Sequence, residues 1–237
     1  MNRRLVCSAT AFVLATIVLA ATVGCSRLIP PSATPVNSAA SQQSAVPTST
    51  NLGTVEVNNY KGQRLDEVAS EPDNSIKGPQ HVDIKTYRLK IDGLVMKPQS
   101  LTYAQVTAMP AFEKVTKLNC VEGWSVTYLW QGVRIKDLLD LASYSPIANT
   151  VIFRCYDGYS TSLPLDYIVN NNILLAYRMN NIVTPPERGF PFQVVAEDRW
   201  GYKWAKWVTE IEVSGNANFK GYWEQRGYDN TAKLPGQ

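Results

Sequence analysis

The chain has 237 residues, 45% of them apolar and 18% charged, with a formal net charge of +3. A packed core is expected and a disordered chain is excluded. Without residues 1–24, which hold Arg3 and Arg4 and no acid, the charge is +1, so the basic excess of a nucleic-acid binder is missing. The one histidine, His81, argues against histidine-rich zinc sites and leaves a Ser-His-Asp triad only if His81 is its base.

Residues 1–24 read as a targeting segment. Met1–Arg4 is a short basic start, Leu5–Val23 is almost wholly apolar or small, and T-V-G-C (Thr22–Cys25) precedes Ser26. This resembles a bacterial lipoprotein signal, with Cys25 as the acylated residue. Thr22 departs from the usual Leu. An uncleaved membrane anchor is the alternative, because the apolar run approaches a bilayer-spanning length. Either way the chain is expected to be exported and membrane-tethered, at the outer face of the cytoplasmic membrane or facing the periplasm. Arg3-Arg4 also fits half of a twin-arginine export signal. Residues 25–52 are rich in Ser, Ala, Thr and Pro and cannot bury enough surface to fold. They read as a flexible tether spanning on the order of 30 Å.

The folded domain is expected over 53–237. V-E-V-N-N-Y-K-G (Val55–Gly62) is an extended piece with a turn, and Arg64–Pro79 a polar surface loop. His81–Gly93 alternates at Tyr87, Leu89 and Ile91, a strand ending in a D-G turn. Thr102 caps a short helix that stops before Pro110. Phe112–Glu122 reads as a strand carrying Cys120 and Glu122 on one face, followed by a tryptophan-rich loop. Ile135, Leu138, Leu139 and Ala142 then fall at i, i+3, i+4 and i+7, an amphipathic helix.

Further on, Val151–Cys155 is an apolar strand. A helix is expected to start near Ser162 and Pro164 and to end near Asn170–Asn172. Ile173–Tyr177 is a strand and Pro185–Pro191 a loop. Phe192–Ala196 and Trp207–Val213 are strands linked by E-D-R-W-G-Y-K. The aromatic, glycine-rich tail from Asn216 is expected to lie against the surface. Strands outnumber short helices, which predicts an α+β fold with a mixed sheet.

Cys120 and Cys155 suggest a disulfide by default in an exported protein. It would close a loop of about 36 residues and add roughly 4 kcal/mol in the chain-entropy model. Glu122, Lys203 and Lys206 read on their own as solvated charges. Trp124, Trp130 and Trp207 read as core or pocket wall.

Three stretches carry a more specific signal: C-V-E-G-W-S with W-Q-G-V-R-I-K-D-L-L (Cys120–Leu139), D-G-Y-S-T-S-L-P-L (Asp157–Leu165), and E-R-G-F-P-F (Glu187–Phe192) with W-G-Y-K-W-A-K-W-V (Trp200–Val208). They resemble the molybdopterin-binding domain of the sulfite-oxidase-like family. Within it the resemblance is to the exported bacterial branch that includes the periplasmic methionine-sulfoxide reductase catalytic subunit. The resemblance implies a molybdenum-molybdopterin oxidoreductase without the immunoglobulin-like dimerisation domain, hence a monomer.

It also implies that Cys120 is the molybdenum ligand, a soft thiolate suiting a redox-cycling metal, and that Glu122 acts beside it by moving a proton or setting the electrostatics. Asn58 corresponds to a family asparagine near the metal. Cys155 corresponds to a position facing the cofactor. Arg188 stands where the family contacts the pterin, and Gln193 where relatives usually have an arginine on the cofactor phosphate. Trp204, Ala205 and Lys206, with Lys203, match the segment that binds the phosphate end.

No haem-attachment or cluster-ligating cysteine pattern is present. Electrons are therefore expected from a separate membrane haem or quinone-linked protein. The expected reaction is reduction of a small substrate such as a sulfoxide. The alternatives are a sulfite oxidase, against which C-V-E-G-W lacks anion-holding arginines, and a metal-free surface-binding lipoprotein on the same fold.

Overall fold

A computed structural model describes residues 55–236. The segments read as signal peptide and tether, with Cys25, lie outside the described residues. Among the described residues no helix is long and apolar enough to cross a membrane.

The chain opens with a hairpin of β1 (Asn59–Tyr60) and β2 (Gln63–Arg64). β3 (Leu89–Gly93) and β4 (Gln99–Leu101) follow, then α1 (Tyr103–Thr107). Thr102 caps α1 in a reciprocal capping box with Gln105, which satisfies two backbone donors of the first turn. β5 (Phe112–Asn119) and β6 (Ser125–Arg134) form the longest hairpin, in continuous register from Phe112↔Gly132 to Asn119↔Ser125. The segment expected as a tryptophan-rich loop is therefore a ten-residue strand after its first turn. Val126, Tyr128 and Trp130 alternate into the core, a period the aromatic residues masked.

α2 (Ile135–Ala142) buries Ile135, Leu138, Leu139 and Ala142 completely. Each Ile or Leu contributes about 1.5–3 kcal/mol by leaving water. β7 (Thr150–Cys155), β8 (Ser160–Pro164) and α3 (Leu165–Asn170) come next. Ser162 belongs to β8, and the helix begins only after Pro164, whose fixed φ suits a helix entry. β9 (Leu174–Met179) is buried along its whole length. β10 (Ile182–Val183), β11 (Gln193–Val195) and β12 (Val208–Ser214) complete the strands.

The strands make two five-stranded sheets. One runs β4-β3-β12-β7-β8, with only β3 and β12 parallel. The other runs β10-β9-β6-β5, with β11 also on β9. β5 is an outer strand whose Glu113, Lys114 and Lys117 discourage edge-to-edge pairing. Side chains from both sheets share one core, the α+β arrangement expected.

β11 and β12 belong to different sheets, so residues 196–207 are a crossing between sheets and not a hairpin turn. This crossing carries a 3-10 turn (Gly201–Lys203), Trp204 and Lys206. It passes the end of β5, where Asn119 bridges to Trp200. A Cβ on Gly201 would lie 3.7 Å from the Cys120 Cα. The two sheets are thus stitched together where the most distinctive motif ends.

Candidate active site

The stitch borders a cleft open to solvent. Five segments meet there: the β5–β6 turn, residues 74–76, the β7–β8 turn, the inter-sheet crossing, and the C-terminal segment.

Cys120 sits just past β5, in a turn closed by the Gly123 N–H donating to the Cys120 carbonyl at 3.1 Å. Gly123 has φ +93°, a conformation glycine adopts without a Cβ penalty. The expected strand therefore stops at Asn119, three residues early. Cys120 and Glu122 still face one way: the thiol donates toward Glu122 Oε2 at 3.8 Å. Trp124 Nε1 holds the same carboxylate oxygen at 3.0 Å. Asn74 Nδ2 donates to the sulfur at 3.5 Å. Cys120 is only 4% exposed. Burial pushes its thiol above the ordinary value, the Glu122 carboxylate adds to the rise, and the Glu122 and Asn74 N–H groups oppose it.

The asparagine beside the sulfur is Asn74 and not Asn58. Asn58 lies in a separate polar groove with Arg64 and Glu67. The polar surface loop expected over Arg64–Pro79 is only partly a surface segment. Val68 and Glu71 are buried, and Asn74, Ser75 and Ile76 line the cleft. Only long-range contacts give this polar stretch its place, so composition alone did not mark it.

Lys206 lines the cleft beside Trp204 and Trp207. Its Nζ lies 3.7 Å from Asp73 Oδ1 and 5.2 Å from the Trp207 ring centre. Burial lowers its pKa, resisted by the charges of Glu71 and Asp73. Arg188 is buried behind it; a Cβ on Gly189 would lie 3.0 Å from the Lys206 Cβ. The Arg188 guanidinium donates to the carbonyls of Val68 and Glu71, and its Nη1 is buried without a hydrogen-bond partner.

Lys203 departs from the expected phosphate contact. It is completely buried, paired with Glu224, and also donates to the Ser162 carbonyl at 3.0 Å and to Asn230 Oδ1 at 3.2 Å. A cation so engaged is a structural clamp. Gln193 is 2% exposed within β11, opposite Ala176, and is not part of the cleft lining. Ala205 is buried, its carbonyl accepting from Val194. Cys155 is buried at the end of β7, one turn before the cleft residues Asp157 and Tyr159. Both described cysteines are free thiols. No three His, Cys, Asp or Glu side chains converge as a metal-binding group among the described residues.

The cleft offers donors for a pterin-bound metal. One soft sulfur opens on the cleft, with an amide donor beside it. Trp204, Trp207 and Tyr202 offer flat apolar walls for a planar ring system. Lys206, on the cleft wall, supplies positive charge for an anionic end. The residues fit.

Comparison with known proteins gives the same direction. The family described as "Oxidoreductase molybdopterin binding domain" matches residues 76–223. The "Uncharacterized oxidoreductase YuiH" of Bacillus subtilis is 36% identical over 151 residues, covering 63% of this chain and 76% of that protein. The "Putative protein-methionine-sulfoxide reductase subunit YedZ1" of Azospira oryzae is 32% identical, covering 63% of this chain. The match spans only 57% of that relative's length. Among solved structures, the sulfane dehydrogenase SoxCD from Paracoccus pantotrophus superposes with a TM-score of 0.57 at 22% identity, covering 60% of this chain and 41% of the other. That likeness speaks for the fold.

Proposed function

The chain belongs to the oxidoreductase molybdopterin-binding domain family, and we propose that it is an exported, lipid-anchored reductase of a small sulfoxide, with Cys120 as the protein's ligand to molybdenum. The family makes it a molybdopterin enzyme. One observation carries it: the Cys120 sulfur faces a cleft walled by tryptophans, flanked by Asn74 and Glu122. The relative named as a putative methionine-sulfoxide reductase subunit supports the choice of substrate class.

The bound cofactor would supply two-electron oxygen-transfer chemistry. In the net reaction the S–O bond breaks, two electrons and two protons enter, and sulfide and water leave. Cys120 and Asn74 fix the reacting centre. Glu122, held by Trp124, is placed to move a proton at its Oε2. Lys206, Trp204 and Arg188 would hold the anionic and planar parts of the cofactor. Electrons come from a separate membrane haem or quinone-linked protein. Residues 1–24 serve as the signal, 25–52 as the tether from a lipidated Cys25, and 53–237 as the catalytic domain, acting as a monomer without nucleic acid.

The test is molybdenum content by elemental mass spectrometry on protein exported folded from a cofactor-making host, wild type beside Cys120→Ala. Roughly one molybdenum per wild-type chain is expected, with sulfoxide reduction by viologen-supplied electrons that Cys120→Ala abolishes. Turnover of sulfite and not of sulfoxides would overturn the substrate class. Full activity in Cys120→Ala would overturn the ligand.

A further inference from the structure

The family match ends at residue 223, yet the cleft wall continues past it. Tyr228 lines the same cleft as Cys120. It is 39% exposed, and Val121, next to the cysteine, is 44% exposed. An exposed ring on a loose tail would mean little, but this one is held on two sides. Its centroid lies 5.3 Å from Tyr202, edge-on, and 5.2 Å from Trp223.

The backbone around it is anchored as well. Tyr228 N–H donates to the Trp223 carbonyl at 3.2 Å. Gly227, at φ +97°, makes the turn. The Tyr202 hydroxyl donates to the Asp229 carbonyl at 2.7 Å. Four residues earlier, Glu224 is clamped by Lys203 and by Thr161 Oγ1 at 2.6 Å. A rigid aromatic side chain that stays partly exposed on the wall of a cleft loses little entropy on contact with a ligand.

We propose that Tyr228 is a specificity-determining residue: its partly exposed ring takes the apolar body of the substrate while the reacting group points toward Cys120. This rests on the sulfoxide-reductase reading and narrows it to sulfoxides carrying an aromatic or bulky apolar substituent. A small sulfoxide without such a substituent gains nothing from the ring.

The experiment uses the full cofactor-loaded chain. Dissociation constants for methyl p-tolyl sulfoxide and for dimethyl sulfoxide are measured calorimetrically on wild type, Tyr228→Ala and Tyr228→Phe, with molybdenum content and steady-state kinetics alongside. Tyr228→Ala is expected to weaken the aromatic sulfoxide about fivefold and to leave dimethyl sulfoxide unchanged. KM is expected to follow with kcat constant, and Tyr228→Phe to restore the preference. Equal weakening of both ligands, no aromatic preference in wild type, or loss of molybdenum in Tyr228→Ala would each overturn the assignment. Aromatic preference in binding without turnover of either sulfoxide would keep Tyr228 as the wall and overturn the reductase reading.

Discussion

The Asn74 amide reaches to 3.5 Å from the Cys120 sulfur across 46 residues of chain. The contact joins a loop with little regular structure to the end of the longest hairpin. It gives the sulfur an N–H donor that stabilises its thiolate form.

Replacing Asn74 with Leu keeps the size and removes the donor. The expected outcome is a fall in kcat/KM for sulfoxide of about tenfold, the order of a lost hydrogen bond to a charged group. Molybdenum content should stay at the wild-type level. Steady-state kinetics beside elemental analysis checks both; unchanged kcat/KM would show that the amide does not act on the sulfur.

The Lys203–Glu224 pair is completely buried, and removing one partner strands the other charge. Lys203→Met is expected to destabilise the domain by about 3–5 kcal/mol. Converting Glu224 to Leu in the same chain should recover much of that loss. Urea unfolding of the two single variants and the double variant measures the coupling; additive losses would contradict it.

Lys206 gives a pH dependence with a defined sign. Burial holds its folded pKa below the ordinary lysine value of 10.5. Between the lowered value and 10.5 the unfolded chain therefore binds more protons than the folded one, and stability rises with pH in that window. Below it the full cost of the buried charge is present. The stability of wild type relative to Lys206→Met should climb as pH rises toward 10.5. A flat or falling difference, read from chemical unfolding at successive pH values, would refute this.

Gly221 passes over β8 so closely that a Cβ would meet the Ser160 carbonyl oxygen at 2.1 Å. Gly221→Ala is expected to cost about 1–3 kcal/mol through overpacking. It should also loosen the C-terminal segment. Thermal unfolding together with proteolysis near Arg226 reads both effects; a neutral substitution would mean the segment lifts without penalty.

The parts legible in the sequence are those governed by local periodicity. The apolar spacing of Ile135, Leu138, Leu139 and Ala142 predicts α2, and Thr102 predicts the cap of α1; both are found. Cys120 and Lys206 are picked out by motif and both line the cleft. The misses share a different cause. Lys203 and Lys206 look alike in sequence, and only the fold sends one to Glu224 and the other to the cleft. Asn58 and Asn74 are both loop asparagines, and which one reaches the sulfur depends on where residues 64–79 cross the sheets. β6 is hidden because aromatic and polar residues fill positions where a plain apolar alternation would have announced a strand.

The stitch between Asn119 and Trp200 also bears on the order of assembly. The sulfur hangs from one sheet and the tryptophan and lysine wall from the segment entering the other. A chain with only one sheet formed presents half a socket and can grip neither end of a large ligand. The parts of the cleft that would hold the two ends of a cofactor therefore face each other only when both sheets are in place.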